Sequence, residues 1–123
     1  MKNPAQRLPD ITAHSSAVDG AALAAISRGN ASVERELITL FRRLNDEDVK
    51  MLHEAVNDGD LAGALHASHR ISGASGMIGA IWLKAVCERI EAASRTSDLC
   101  AVKENMSALR QEVERVYAFF DSV

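Results

Sequence analysis

Aromatic residues are scarce in this chain of 123 residues, with one Trp, one Tyr and three Phe making up 4% of the total. Sandwich and barrel strands draw on Thr, Val and aromatics, so the shortage counts against an all-β fold. Proline is scarcer still: Pro4 and Pro9 are the only two, and nothing beyond residue 9 interrupts a helix by ring geometry. The two cysteines, Cys87 and Cys100, lack C-x-x-C spacing and fall in apolar surroundings. That placement reads as two small buried hydrophobes, not a redox pair or a metal site. Positive charge is not in excess, because 14 Lys and Arg stand against 17 Asp and Glu for a formal net charge of -3. A nucleic-acid partner, which needs a clustered basic footprint, is therefore not expected. Long apolar runs are missing as well, the longest ending at Lys84 and holding Gly73, Gly76 and Gly79. It falls short of the roughly 18 residues that span a bilayer, so no direct membrane contact is expected. No apolar segment follows Met1–Arg7, which reads as no secretory signal and a cytoplasmic location. Neither a P-loop nor a dinucleotide fingerprint occurs, and the length leaves no room for a nucleotide-binding domain beside a substrate domain.

What the chain has in quantity is small and aliphatic side chains. Hydrophobic residues make up 47% of it, 20 of them Ala and 27 Ile, Leu or Val. This is enough apolar mass for one core and favours helices packed closely through small residues. Residues 1–18 carry both prolines with Ser, Thr and Asn and show no sustained period, so they read as a linker or flexible arm. Residues 19–123 read as the folded domain. Asp19 can cap a short first helix that Gly29-Asn30 ends. Past Asn30 or Ser32, the residues Val33, Leu37, Leu40, Leu44, Met51 and Ala55 fall within roughly 60° of one another at helical spacing. They predict one long second helix, its acidic stretch Asn45–Asp48 a polar shoulder and the first-named residues its core face. Asn57-Asp58-Gly59-Asp60 ends it; the bidentate Glu of a calcium loop is missing, so the segment reads as a turn whose Asp60 caps the next helix. A third helix follows over about 61–78, a fourth over about 80–94, and a fifth, capped by Ser97 or Asp98, carries Val102, Met106, Leu109, Val113, Val116, Phe120 and Val123 as a seam. The fold class is all-α: an antiparallel four-helix bundle with a short additional N-terminal helix.

The third helix is unlike the others because Gly63, Gly73 and Gly76 lie inside it. Each costs about 1 kcal/mol relative to Ala. With His69 at zero on a helical wheel, Ala64, Ala67, Ile71, Ala74 and Ile78 lie within roughly 40° of the opposite pole, which makes that pole the core stripe. His69 then points outward, and the residues within roughly 60° of it are Ala62, Leu65, His66, Ser72, Gly73 and Gly76. Leu65 is the apolar residue expected to be exposed on this face. An outward imidazole is mostly neutral near pH 7 and nucleophilic through a ring nitrogen. No triad and no carboxylate pair can be placed around it by spacing, so hydrolysis has no visible apparatus. His66 and His69 at i, i+3 could contribute to a zinc site only if folding recruited His53 or His14, so no metal site is expected. On spacing alone two readings stand: a surface histidine beside a close helix contact, or an accessible nucleophile with glycines clearing its approach.

The run His69-Arg70-Ile71-Ser72-Gly73-Ala74-Ser75-Gly76-Met77-Ile78-Gly79-Ala80 resembles the H-x-L-K-G-[SA]-[SA]-x-x-[LI]-G-A signature of histidine phosphotransfer (HPt) domains. Gly59-Asp60 sits where that family turns into its active helix. Leu83, Cys87 and Ile90-Glu91 resemble the L-x-x-x-C-x-x-[LI]-E pattern of the helix that follows. The likeness runs over roughly residues 33 to 120 and implies a four-helix bundle. It also implies that His69 accepts a phosphoryl group through Nε2 from the aspartyl phosphate of one response-regulator receiver domain and passes it to the aspartate of another. Ser72 and Gly73 would form the phosphoryl environment, and Ala62, Leu65, His66 and Gly76 the docking surface for the receiver. The domain would need no cofactor of its own, because Mg²⁺ comes with the receiver, and it would be a monomeric transfer intermediate without kinase activity. The family's Lys three residues after the histidine is Ser72 here, and Arg70 or Lys84 are the cations near enough in the pattern to stand in for it. The polar first 18 residues are in keeping with the cytoplasmic C-terminal part of a membrane-bound hybrid sensor histidine kinase, or with a free-standing shuttle. The alternatives are a non-catalytic helical interaction domain, or the dimerisation and phosphoacceptor domain of a histidine kinase. The latter's histidine is followed by an acidic residue and then a proline, whereas Arg70 follows His69 and no proline follows Pro9.

Overall fold

The computed structural model describes residues 16–122. Most of the stretch read as a linker, His14 with it, and Val123 at the end of the seam lie outside those residues. Six helices follow in order: α1 (Gly20–Ser27), α2 (Ala31–Asn57), α3 (Leu61–Ile78), α4 (Ile81–Arg95), α5 (Leu99–Glu104) and α6 (Met106–Asp121). There is no strand among the described residues. Four of the six helix starts, all but those of α4 and α6, are fixed by a short polar side chain that satisfies an orphan N–H. The Asp19 carboxylate accepts from Ala21 N, Asn30 from Val33 N, Asp60 from Gly63 N and Asp98 from Ala101 N. Of the paired cap candidates, Asn30 and Asp98 take the role.

α2, α3, α4 and the α5–α6 pair form the antiparallel four-helix bundle, and α1 closes one end against α2 and α3. The fifth expected helix is interrupted at Asn105, which lies outside both helices as the cap between them. Its amide group donates to Ala101 O, a local side-chain bond that competes with helix continuation. The seam survives the break, with Val102, Leu109, Val116 and Phe120 all buried. Packing begins slightly earlier than expected: Ala17 and Val18 are buried, and Asp19 N donates to Gly79 O at 2.8 Å. Gly79 ends α3 at φ 86 with Asp19 O only 2.8 Å from where a Cβ would stand, a conformation and a clearance that favour glycine.

The core face of α2 is not the one its apolar periodicity marks. Buried on α2 are Phe41, Asn45, Asp48, Leu52, Ala55 and Val56, so of the predicted stripe only Ala55 belongs to it. Val33, Leu40 and Met51 are exposed. Two polar residues hold the inward positions because each finds a partner there. Asn45 donates to the Tyr117 hydroxyl of α6, and Asp48 accepts from Arg70 of α3. Tyr117 in turn donates to Asp46. Burial, with that bond, raises its phenol well above the ordinary range. Cys87 is buried as expected, but Cys100 is exposed and its thiol donates to Glu104 one turn on. No helix among the described residues is long and apolar enough to cross a membrane.

Candidate functional site

α3 packs between α2 and α4, and its small residues let both neighbours come close. Ala64, Ala67, Ser68, Ile71, Ser75 and Ile78 are buried. The buried Ser68 hydroxyl donates to Ala64 O, whereas the buried Ser75 hydroxyl has no hydrogen-bond partner among the described residues. His69 stands on the opposite side with 74% of its side chain exposed.

What spacing could not place is the partner of the ring. His69 Nδ1 lies 2.6 Å from Oε1 of Glu91, whose side chain is only 7% exposed. An ionised carboxylate can only accept, so Nδ1 carries the hydrogen and Nε2 keeps its lone pair, directed away from Glu91. Glu91 comes from the middle of α4, 22 residues away. Its only sequence signal was its place in the L-x-x-x-C-x-x-[LI]-E pattern of the helix after the one carrying His69, which gave it no role. Below it lies Cys87, whose thiol is pushed up to about 12 by burial and by the carboxylates of Glu91 and Glu88. That thiol is inert at neutral pH.

Ser72 and Gly73 follow one turn along α3. Ser72 is buried, contrary to its position on the outward arc, and Gly73 is exposed with nothing within 4 Å of a Cβ built there. Gly76 is exposed too, and a Cβ there would sit 3.2 Å from Cδ and Cε of Lys84. Its missing side chain makes room for the lysine stem as well as for an approaching partner. Lys84 Nζ donates to Glu88 at 2.9 Å. Arg70, on the α2 side, donates from Nε to the buried Asp48 at 2.9 Å. That hydrogen bond and the Asp48 charge raise its pKa. Both cations that the sequence offered in place of the usual lysine are thus already engaged by carboxylates.

On the other side of His69, Ala62, Leu65 and His66 line a shallow recess of about 320 Å³ together with His69 and Arg95 of α4. Ala62 and His66 are exposed, while Leu65 is half-buried, against expectation. Arg95 is the residue of this recess that the sequence did not single out. Among the described residues no group of three or more His, Cys, Asp or Glu could hold a metal ion. A second feature was also missed. Ile26, Leu37, Leu40 and Leu44 meet Ala74 and Met77 in an apolar groove of about 170 Å³. Met77 is 71% exposed, the most open large hydrophobic side chain among the described residues. It lies about 80° around α3 from His69 and about 12 Å along it.

A helical bundle that offers a solvent-facing imidazole, held from below by a buried carboxylate and cleared by glycine, fits a carrier of a small group passed between proteins. The chain matches the family model of the Hpt domain over residues 36–119 and belongs to that family. Its function is histidine phosphotransfer in a two-component phosphorelay, in which Hpt domains interact with receiver domains of response regulators. Among solved structures it is similar to histidine-containing phosphotransfer protein B (HptB) from Pseudomonas aeruginosa PAO1. The TM-score is 0.83 at 23% identity, covering 89% of this chain and 95% of that one. No curated protein matches the chain.

Proposed function

We propose that His69 is the phosphoacceptor and that Glu91 orients it. The observation that carries this reading is the 2.6 Å contact between Nδ1 and the buried Glu91 carboxylate, which leaves Nε2 free on the exposed side. Nε2 attacks the phosphorus of a receiver's aspartyl phosphate. A P–N bond forms as the P–O bond breaks, and its electron pair leaves with the receiver's carboxylate. Positive charge that accumulates on the imidazole is offset at Nδ1–H by Glu91, a charge-assisted hydrogen bond that strengthens as the ring becomes cationic. Mg²⁺ carried by the receiver supplies charge neutralisation for the phosphoryl oxygens. This chain contributes the nucleophile, its tautomer and an unobstructed approach. The receiver docks on the His69 face, over Gly73 and Gly76 and into the apolar groove ending at Met77, with Ala62, Leu65 and His66 at the rim. The domain works as a cytoplasmic monomer, so sedimentation of the isolated protein should give a single-chain mass.

The test is label transfer. Incubated with a phosphorylated receiver and Mg²⁺, the protein should take up phosphate in an acid-labile, base-stable form, and His69→Gln should take up none. Label retained by that variant, or no uptake by the unaltered protein from a panel of receivers, would overturn the assignment and leave a non-catalytic binding face.

A further inference from the structure

The Hpt signature calls for a cation three residues after the histidine, and this chain has a buried serine there. Three cationic side chains border the site. Arg70 is bound to Asp48 and Lys84 to Glu88, so a carboxylate already offsets each charge. Arg95 is exposed, lines the same recess as His69 and His66, and has no carboxylate within ion-pair distance among the described residues. The register of the two helices explains its position. His69 pairs with Glu91 and Gly76 lies against Lys84, so α3 and α4 run antiparallel, and Arg95, four residues after Glu91, stands level with Leu65. That is one turn from His69, about 6 Å along the helix, which an extended arginine side chain spans.

We propose that Arg95 provides the positive charge that meets the phosphoryl group on His69, replacing from the neighbouring helix the lysine that position 72 lacks. This rests on His69 being the phosphoacceptor. A phosphoryl group on Nε2 places three anionic oxygens at the mouth of the recess. A guanidinium can meet two of them with paired N–H donors. His66, on the same recess, adds a ring donor from the other side. Ala62, with a single methyl group, leaves the floor of the recess open. No bond is made or broken by Arg95; it lowers the charge that builds on the oxygens and slows loss of the group to water.

The experiment follows the phosphorylated protein, stripped of receiver, as it loses label. Arg95→Ala should accept phosphate, so that the His69 assignment is tested separately, but its phosphohistidine should decay about fivefold faster, the scale of one partly exposed charge-assisted contact. Arg95→Lys should fall between the two, and Arg110→Ala, on the exposed face of α6, should match the unaltered protein. Circular dichroism melting of Arg95→Ala should be unchanged, which separates a phosphoryl contact from a folding defect. Equal lifetimes for Arg95→Ala and the unaltered protein would overturn the proposal while leaving His69 in place. So would a shortened lifetime confined to Lys84→Ala. Failure of the unaltered protein to accept label would remove both readings together.

Discussion

In the proposed mechanism Glu91 turns an exposed imidazole, which would otherwise sample two tautomers and several rotamers, into one oriented nucleophile. Because the carboxylate is buried and the ring is not, the constraint comes entirely from α4. Glu91→Gln keeps an acceptor for Nδ1–H but loses the charge, and its phosphotransfer rate should fall about tenfold, the difference between a charged and a neutral acceptor. Glu91→Ala should fall further, and ¹⁵N chemical shifts should show His69 redistributing toward the Nε2–H tautomer; unchanged shifts would refute the orienting role. The cysteines provide a second check at this scale. With its thiol pushed up to about 12 and no exposure, Cys87 should be silent toward Ellman's reagent at pH 8 in the folded protein. Cys100 should react, more slowly than a free thiol because Glu104 raises its pKa. One thiol per folded chain, abolished by Cys100→Ser, is the expected count.

Glycine gives α3 a test at the scale of the element, where the same substitution should act in opposite directions. Gly73→Ala meets nothing within 4 Å and gains helix propensity, so it should stabilise the fold by about 0.5–1 kcal/mol in denaturant titration. It should also slow phosphotransfer, because the new methyl stands one turn from His69 on the docking side. Gly79→Ala needs a left-handed conformation and meets Asp19 O, and it should destabilise by about 1–2 kcal/mol. Helix limits were legible in α3 because each end carries a residue of special chemistry, Asp60 and Gly79. The outward pole of α3 was legible because its inward residues are small or aliphatic. In α2 the same reasoning failed. Asn45 and Asp48 take core positions by virtue of partners on other helices, and no periodicity within α2 can reveal a hydroxyl on α6 or a guanidinium on α3. The break at Asn105 escaped notice for a similar reason, since the apolar seam continues across it.

For the molecule as a whole, the residues displaced from the supposed core stripe of α2 acquire a place: Leu37, Leu40 and Leu44 line the groove that opens beside the His69 face. Leu40→Glu and Met77→Glu should each raise the KM for a phosphorylated receiver about tenfold, in line with the loss of one apolar anchor. The decay of phosphohistidine in the absence of receiver should be unchanged. A change in decay, or an unchanged KM, would rule out this groove as the docking surface. The bundle and its outward histidine could be read from one chain's pattern. Glu91, Arg95 and the groove could not, because each depends on which residues different helices bring to the same level.

His69 and Glu91 both sit in mid-helix, joined across two packed helices, and among the described residues the His69 ring is open to solvent. With His69 as the phosphoacceptor proposed above, an incoming phosphate and an outgoing one should meet the same atoms along the same path. Net flow is then left to the partners, set by how much of each receiver is phosphorylated and how stably each holds its aspartyl phosphate. The domain should then behave as a two-way junction whose traffic reverses when those populations do.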